Sequence, residues 1–496
     1  MSTTQSVIKI DPMTRIEGHL DIEAVIDNKR VVEARSKGTL YRGFEQILIG
    51  RNPVDAVQLT QRFCGVCPTP HAIASSQALD NAFGIMPPEN GRIIRNIMQG
   101  SNYIQSHILH FYHLASLDYY RGPDLPPFVP RYEADYRVPG TVREKLVEHY
   151  ILAYQMRLKA HELCSIWSGK MPHMASITPG GVTIIPRIDN ITTSLWRLKE
   201  LTDFIDNVYL PDVITVAQIY RDYFEIGKGC GNYLSFGLFD LDSEPDVTKR
   251  KRFFQIARMS KGKMSPVEVN QITEDVKYSW YDSPSHKHPT QGETLPNPEK
   301  AGAYSWLKAP RYDGESYEVG PLARMKMAYQ TANNPKINQL IDDTLSKLQI
   351  KSEDLCSVMG RHIMRALECK VVADEIGSMI MQVKLEEPVC VPHKIPDSAQ
   401  GMGLWDAARG ALGHWIEIRN QKIARYQAIV PTTWNASPKD DKGKAGPIEE
   451  AMVGTIVDDI NNPFELARIV RSFDPCLACA VHLAEAGKSV KTLRVV

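Results

Sequence analysis

The first forty residues alternate between apolar and polar. Ser6–Ile10, His19–Ile26 and Val31–Ser36 are short runs with a period of two, broken by Asp27-Asn28-Lys29 and by glycine. This pattern predicts three β-strands, each with one buried face. The period then changes. Between Ile93 and Tyr119 the apolar residues Ile97, Ile104, Ile108, Phe111 and Ala115 recur at helical spacing. Arg143–Trp167 places Val147, Tyr150, Ile151, Tyr154 and Leu158 on one helical face. Thr193–Tyr220 is a third helical pattern, expected to kink or break at Pro211, and His362–Val383 is a fourth. Four long amphipathic segments pack most simply as a bundle. The predicted fold is therefore α+β and mainly helical: a long-helix bundle core with a small N-terminal β region. Ser283–Gly302 and Asn435–Glu450 are polar and aperiodic and read as surface insertions. His286 and His288, in the first of these, read as solvated loop side chains rather than ligands. No internal repeat or clean boundary divides the chain, so a single domain is expected.

Composition narrows the function classes. The 58 acidic and 58 basic side chains cancel, which argues against a nucleic-acid or anionic-membrane surface. No apolar run reaches the roughly 18 residues of a membrane span. Met1–Asp11 lacks a basic region followed by an apolar core. The chain is expected to be made in the cytoplasm and not to export itself.

Nine cysteines, an odd number, do not suggest a disulfide framework. Cys164, Cys230, Cys356, Cys369 and Cys390 are isolated and read as buried small hydrophobes. The other four form two Cys-x-x-Cys pairs, in Arg62-Phe-Cys64-Gly-Val-Cys67-Pro-Thr-Pro-His71 and Asp474-Pro-Cys476-Leu-Ala-Cys479-Ala-Val-His482. Two such pairs can supply a four-sulfur shell for zinc, nickel, copper(I) or iron, but not for magnesium or calcium. On spacing alone a structural zinc site or a redox disulfide at one pair also fits. Zinc ribbons, however, keep their pairs within some tens of residues, and these lie near opposite ends of the chain. A histidine also follows each pair, and a complete thiolate shell needs no further ligand. Such a histidine is better placed as a donor to a sulfur or as a ligand to another ion.

With these motifs the sequence resembles the large subunit of nickel–iron hydrogenases, closest to the respiratory uptake type. The same likeness is carried by Thr14-Arg-Ile-Glu17-Gly-His19, Arg42-Gly-Phe-Glu45, Tyr317-Glu-Val-Gly-Pro-Leu-Ala-Arg324, Arg409-Gly-Ala-Leu412-Gly-His-Trp415 and Pro431-Thr-Thr-Trp434-Asn435. These follow the family's order across nearly the whole chain. The resemblance implies a metal site between the N- and C-terminal segments. It implies nickel held by all four cysteines, Cys64 and Cys476 as terminal ligands. Cys67 and Cys479 would bridge to an iron carrying carbon monoxide and cyanide. Dihydrogen would be split heterolytically there. Cys476 is expected to take the proton first, Arg409 to position and polarise, because arginine is a poor base. Glu17 would relay the proton. His71 would donate to a bridging sulfur, Thr432 to a cyanide, and Pro431 and Leu412 would line the same site. Glu45, the carbonyl of Ala428 and His482 would hold magnesium or a similar ion. Val66 and Leu114 match the gates of a gas channel. Two departures stand out. Ser106 replaces a frequent aspartate, leaving Asp474 as the carboxylate partner of Arg409, and Ala408 replaces a frequent proline.

The resemblance also implies processing and partners. Residues 1–482 would form the working domain, and 483–496 a C-terminal extension removed by a maturation protease after nickel-insertion factors have acted. No further cysteine cluster serves iron–sulfur centres, so an iron–sulfur small subunit is expected as partner. That partner would carry any export signal, with the complex membrane-associated on an undetermined side. The rival readings are a hydrogen-sensing regulatory homologue, a quinone-reductase subunit of the same superfamily, whose members lack the cysteine motifs, and a zinc-stabilised structural protein.

Overall fold

Three antiparallel strands open the chain: β1 (Ser6–Ile10), β2 (Leu20–Asp27) and β3 (Arg30–Gly38). A computed structural model describes residues 5–480. The period of two does what it predicts, since Leu20, Ile22, Ala24 and Ile26 are all buried on one face of β2.

The helical part is built from α1 (Pro68–Phe83), α2 (Glu89–Leu109), α3 (Gly140–Ser168), α4 (Ile188–Phe204), α5 (Leu210–Ile219) and α6 (Val358–Gln382). α2 packs against α3 and α6, and α6 also meets α4 and α5. Being enclosed on nearly every side, α2 buries polar residues as well as apolar ones, and these find backbone partners. Gln99 donates to the Asp406 carbonyl at 3.0 Å, and Asn102 and Gln105 both donate to the Val66 carbonyl at 3.1 and 2.8 Å. The expected break near Pro211 is present one turn earlier. Ile205–Tyr209 widens into a π-helical turn, because Pro211 has no N–H to continue the regular ladder. A second π-helical turn, His110–Ala115, follows α2, and Tyr112 lies 5.9 Å from Tyr209 across the two turns.

Several expectations need correction. The buried face of α3 is Leu146, Tyr150, Ala153, Ala160, Leu163 and Trp167, whereas Ile151, Tyr154 and Leu158 are exposed. Small alanines let α3 approach α2 closely, and a reading by side-chain size favours the wrong stripe. Asn435–Glu450 is irregular but is not a surface insertion. Asn435, Ser437 and Asp440 are buried, and Asp440 anchors Arg311 at 3.0 Å. Of the isolated cysteines, only Cys164 and Cys369 are fully buried. Cys230, Cys356 and Cys390 are half-buried.

A second antiparallel sheet was not anticipated: β4 (Ser398–Ala407), β5 (Gly410–Arg419) and β6 (Lys422–Ile429). A small mixed sheet, including Tyr233–Ser235 and Glu318–Val319 in parallel, comes from the stretch between α5 and α6. β4 lies directly on α1. A Cβ on Gly403 would sit 1.9 Å from the Ala74 carbonyl oxygen, and one on Gly401 2.1 Å from that of Ala78. Only glycine permits this approach of two backbones. With 44% helix and 19% strand, the chain is α+β and mainly helical, as predicted. Among the described residues no helix is long and apolar enough to cross a membrane.

Candidate metal centre

The first cysteine pair is fixed by the start of α1. Cys64 ends the single turn Gln61–Phe63, Cys67 is the residue before the helix, and Pro68 occupies the first helical position. In the second pair Cys476 immediately precedes, and Cys479 lies within, the helical stretch Leu477–Ala480. It is held by pairing with the other end of the chain. Glu17 donates its N–H to the Pro475 carbonyl at 3.3 Å, and Leu477 donates to the Glu17 carbonyl at 2.7 Å. The neighbouring Gly18, at φ +85°, leaves no room for a side chain, because its Cβ would meet the Ala478 nitrogen at 2.4 Å.

This docking brings four sulfurs together. Cys64 and Cys476 are 3.4 Å apart, Cys67 and Cys476 3.9 Å, Cys67 and Cys479 3.1 Å, and Cys476 and Cys479 2.9 Å. All four are buried, and their sulfurs lie within 4.8 Å of one another. None is disulfide-bonded. Thiolates at about 2.3 Å from one metal stand about 3.8 Å apart in a tetrahedron, so this cage is of a size to close on a single soft ion. The convergence of all four disposes of a redox disulfide at one pair. Burial, together with the neighbouring thiols, pushes Cys476 and Cys479 well above the usual thiol range. Burial also opposes ionisation of Cys64, but hydrogen bonds from the other three carry it well below. The cluster cannot hold four negative charges unaided. A cation would draw off the remaining protons.

Glu17 reaches into this cluster. The Cys476 thiol donates to its Oε2 at 3.3 Å, and the Ala478 N–H donates to the same oxygen at 3.1 Å. Burial, then the Cys64 charge, raises the Glu17 carboxyl to about 7. Its sequence neighbour Arg15 pairs instead with Asp118. Arg409 is fully buried. Its Nε donates to the Asp474 carbonyl and its Nη2 to Asp474 Oδ1, both at 2.9 Å, while Ser106 Oγ accepts from Nη1 at 3.4 Å. Burial works against this guanidinium, but Asp474 and then the cysteines outweigh it and hold it well above the usual range. Thr432 Oγ1 accepts the Cys476 N–H at 2.9 Å, with Pro431 beginning the same short helix, Pro431–Asn435. Leu412 is buried on β5. Val66 is half-buried between the first two cysteines, and Leu114, also half-buried, lies in the π-helical turn His110–Ala115.

A second polar cluster surrounds Glu45. Its Oε1 accepts the Ala428 N–H at 3.0 Å, and its Oε2 accepts from Thr294. Lys308, also buried, donates to Gln427 Oε1 at 2.8 Å and pairs with Glu274 at 3.5 Å. Burial and then the charge of Glu45 raise Glu274 to about 7, with Lys308 opposing. His482, the third expected ligand here, lies outside the described residues, as does the extension 483–496. His286 is exposed and pairs with Asp275 at 3.3 Å, and His288 Nδ1 bonds Thr290 at 2.7 Å, so neither is part of a metal cluster among the described residues. Sequence reasoning missed Thr294, Lys308 and Gln427 around Glu45. It also missed His414 and Tyr426 behind His71, although His414 sits inside one of the quoted motifs. β5 is buried on both faces, so no alternation marked His414.

Comparison with known proteins places this architecture. The family model described as nickel-dependent hydrogenase matches residues 42–124 and 120–482, and a shorter one, HoxL-like, matches 7–37. The periplasmic NiFeSe hydrogenase large subunit of Desulfomicrobium baculatum is 42% identical, over 97% of this chain and 95% of that one. The uptake hydrogenase large subunit of Bradyrhizobium diazoefficiens is 32% identical, over 96% and 95%. The structure of the Ni-Fe-Se hydrogenase from D. vulgaris Hildenborough in the reduced state superposes with a TM-score of 0.90 at 43% identity, over 97% of this chain and 100% of that one. Two of these relatives bear selenium in their names, whereas all four residues of the cluster here are cysteine. The chain belongs to the nickel–iron hydrogenase family as a large subunit.

Proposed function

We propose that this large subunit oxidises dihydrogen in the uptake direction, at a nickel–iron pair held by Cys64, Cys67, Cys476 and Cys479, and passes the electrons to an iron–sulfur small subunit. The observation that carries the reading is the convergence of four buried cysteine sulfurs with the Glu17 carboxyl on one of them. Cys64 and Cys476 would bind nickel alone. Cys67 and Cys479 would bridge to an iron bearing carbon monoxide and cyanide. When bound, this pair supplies the electron-rich, Lewis-acidic centre at which dihydrogen is split heterolytically. Large subunits of this family form heterodimers with small subunits. The uptake direction is supported by the name of the Bradyrhizobium relative.

The chain's own residues handle the proton. Cys476 Sγ holds it, and Glu17 Oε2, at 3.3 Å, takes it onward. A carboxyl near 7 both accepts and releases a proton at neutral pH. Arg409 stays charged, so it orients and polarises rather than acting as the base. Thr432, whose oxygen receives the Cys476 N–H, would offer its own hydrogen to a cyanide. Val66 and Leu114 would gate gas access. Glu45 and the Ala428 carbonyl, with His482, would hold magnesium, a hard ion suited to oxygen donors. A maturation protease would remove 483–496 after nickel insertion, and the complex would be membrane-associated through its partner.

Elemental analysis and infrared spectroscopy of the purified heterodimer test the reading together. Nickel near one per large subunit, with carbon monoxide and cyanide bands, is expected. Zinc with no such bands in processed protein would return the cluster to a structural role.

A further inference from the structure

Arg409 stands at the tip of a hairpin. Ala407, the last residue of β4, pairs with Gly410, the first of β5, so Ala408 and Arg409 alone make the turn. Both are buried, and buried carbonyls near the turn must find donors. The Asp406 carbonyl accepts from Gln99 at 3.0 Å and from the Tyr103 hydroxyl at 2.9 Å, both on α2. The Ala407 carbonyl accepts from Arg324 Nη1 at 3.1 Å, and the Ala408 carbonyl from Arg324 Nη2 at 2.9 Å. Arg324 is fully buried in the helix Pro321–Thr331. Its Nε donates to Glu368 Oε1 at 2.6 Å, its Nη2 to Glu368 Oε2 at 2.8 Å and its Nη1 to Asp406 Oδ2 at 3.1 Å. A guanidinium carries five hydrogens in one rigid plane, and all of them are committed here. Glu368 on α6 and Asp406 on β4 fix the plane, and the plane fixes two consecutive carbonyls. The hairpin tip also presses on the backbone just ahead of the same helix. A Cβ on Gly410 would lie 2.6 Å from the Gly320 nitrogen, and one on Gly320 3.0 Å from the Arg409 carbonyl oxygen.

We infer that Arg324 is a positioning residue for the reaction, setting where the Arg409 guanidinium stands beside the cysteine cluster by holding the Ala407 and Ala408 carbonyls. Arg409 reaches the centre on a long side chain, tied at its tip to Asp474 and Ser106. Such a tip is placed accurately only when its backbone is held as well. Glu368 acts one step further back, by orienting Arg324. A lysine at 324 keeps the charge but offers three hydrogens from a single point, too few for these five acceptors. The inference rests on the reading of Arg409 as the group that orients and polarises at the metal pair.

The test compares Arg324→Lys in two backgrounds of the assembled heterodimer, the unaltered chain and Arg409→Lys, at matched nickel content. Dihydrogen oxidation per nickel should fall by about 100-fold in the unaltered chain, the cost of misplacing a group at the reacting centre by about 1 Å. In the Arg409→Lys background the added loss should be about twofold or less, because the group that Arg324 places is already gone. Equal losses in both backgrounds, or no loss in the unaltered chain, would overturn the inference. The crystal structure of Arg324→Lys gives a readout independent of turnover. The two Arg409–Asp474 hydrogen bonds, both 2.9 Å, should open while the four cysteines stay in place. An unmoved Arg409 would also overturn the inference. If Arg324→Lys does not assemble, Glu368→Gln, which removes one of the two oxygens that hold Arg324, is read in the same two backgrounds against the same outcomes. Full activity in Arg409→Lys alone would count against the reading of Arg409 instead, and the crystal structure would still decide the placement.

Discussion

Gly403→Ala offers a test of how the metal centre is held, because the site depends on a helix pressed against a sheet. The new Cβ would lie 1.9 Å from the Ala74 carbonyl oxygen and 2.8 Å from the Ala78 nitrogen. Ordinary carbon–oxygen contact is about 3.4 Å, so β4 and α1 must part by about 1.5 Å. Both obstacles are backbone and cannot swing aside. Overpacking of this kind costs about 1–3 kcal/mol. For a chain of 496 residues the unfolding entropy is about 1 kcal/mol per degree. The melting temperature would therefore fall by only about 2 °C. The geometric effect is larger. α1 carries His71 and begins right after Cys67, and a misplacement of about 1 Å at a reacting centre costs about 100-fold in rate. The assay is dihydrogen oxidation per bound nickel, alongside nickel content. Gly140→Ala, whose Cβ meets nothing within 4 Å, serves as control. Gly403→Ala with unaltered activity per nickel would refute the claim that this contact sets the cysteine geometry.

Three further outcomes are expected. Glu17→Gln keeps an oxygen for the Ala478 N–H but removes the proton carrier. Hydrogen–deuterium exchange should fall by about 100-fold or more with nickel retained, and an unchanged exchange rate would exclude Glu17 from the route. Glu45→Gln should lower magnesium content measured by elemental analysis, with nickel unaffected, and full magnesium occupancy would remove Glu45 from the ligand set. Glu368 is buried, and although burial opposes its ionisation, Arg324 at 2.6 Å and His107 at 2.9 Å hold it at about 2. A depressed carboxyl stabilises above its unfolded value of 4.5 and loses that contribution as pH falls toward about 2. Glu368→Gln should cost on the order of 3 kcal/mol at neutral pH and progressively less below 4.5, which denaturant titration at several pH values would show; a cost independent of pH would argue against the ion pair.

Among the strands, the legible ones were those whose burial is one-sided. β2 alternates because one face is buried, and its strand is visible for that reason. β5 is buried on both faces along most of its length and is threaded with glycines, so it shows no alternation, and the sheet that carries His414, with Arg409 in its first hairpin turn, went unpredicted. α3 has apolar residues on two faces, and Ile151, Tyr154 and Leu158 point outward while Tyr150 and Trp167 point inward. The cysteine spacing announced a soft metal, but nothing local showed that pairs so far apart would meet. That step came from the order of motifs along the chain. Glu17 looks like the partner of Arg15 until Asp118, distant in sequence, is seen to take the arginine. The Glu45 cluster draws Thr294, Lys308 and Gln427 from separate loops and strands, each unremarkable in its own neighbourhood.

The seating of the last cysteine pair against Glu17 has a consequence for the order of folding. Cys67 and Cys479 are 412 positions apart, and closing a flexible loop of that length costs roughly 5 kcal/mol of chain entropy. The carboxy-terminal segment therefore docks late, onto a body already formed, and ion binding and closure become one thermodynamic event. A lesion in that seat, at Gly18 for example, would surface as failure to retain nickel in a chain that otherwise folds.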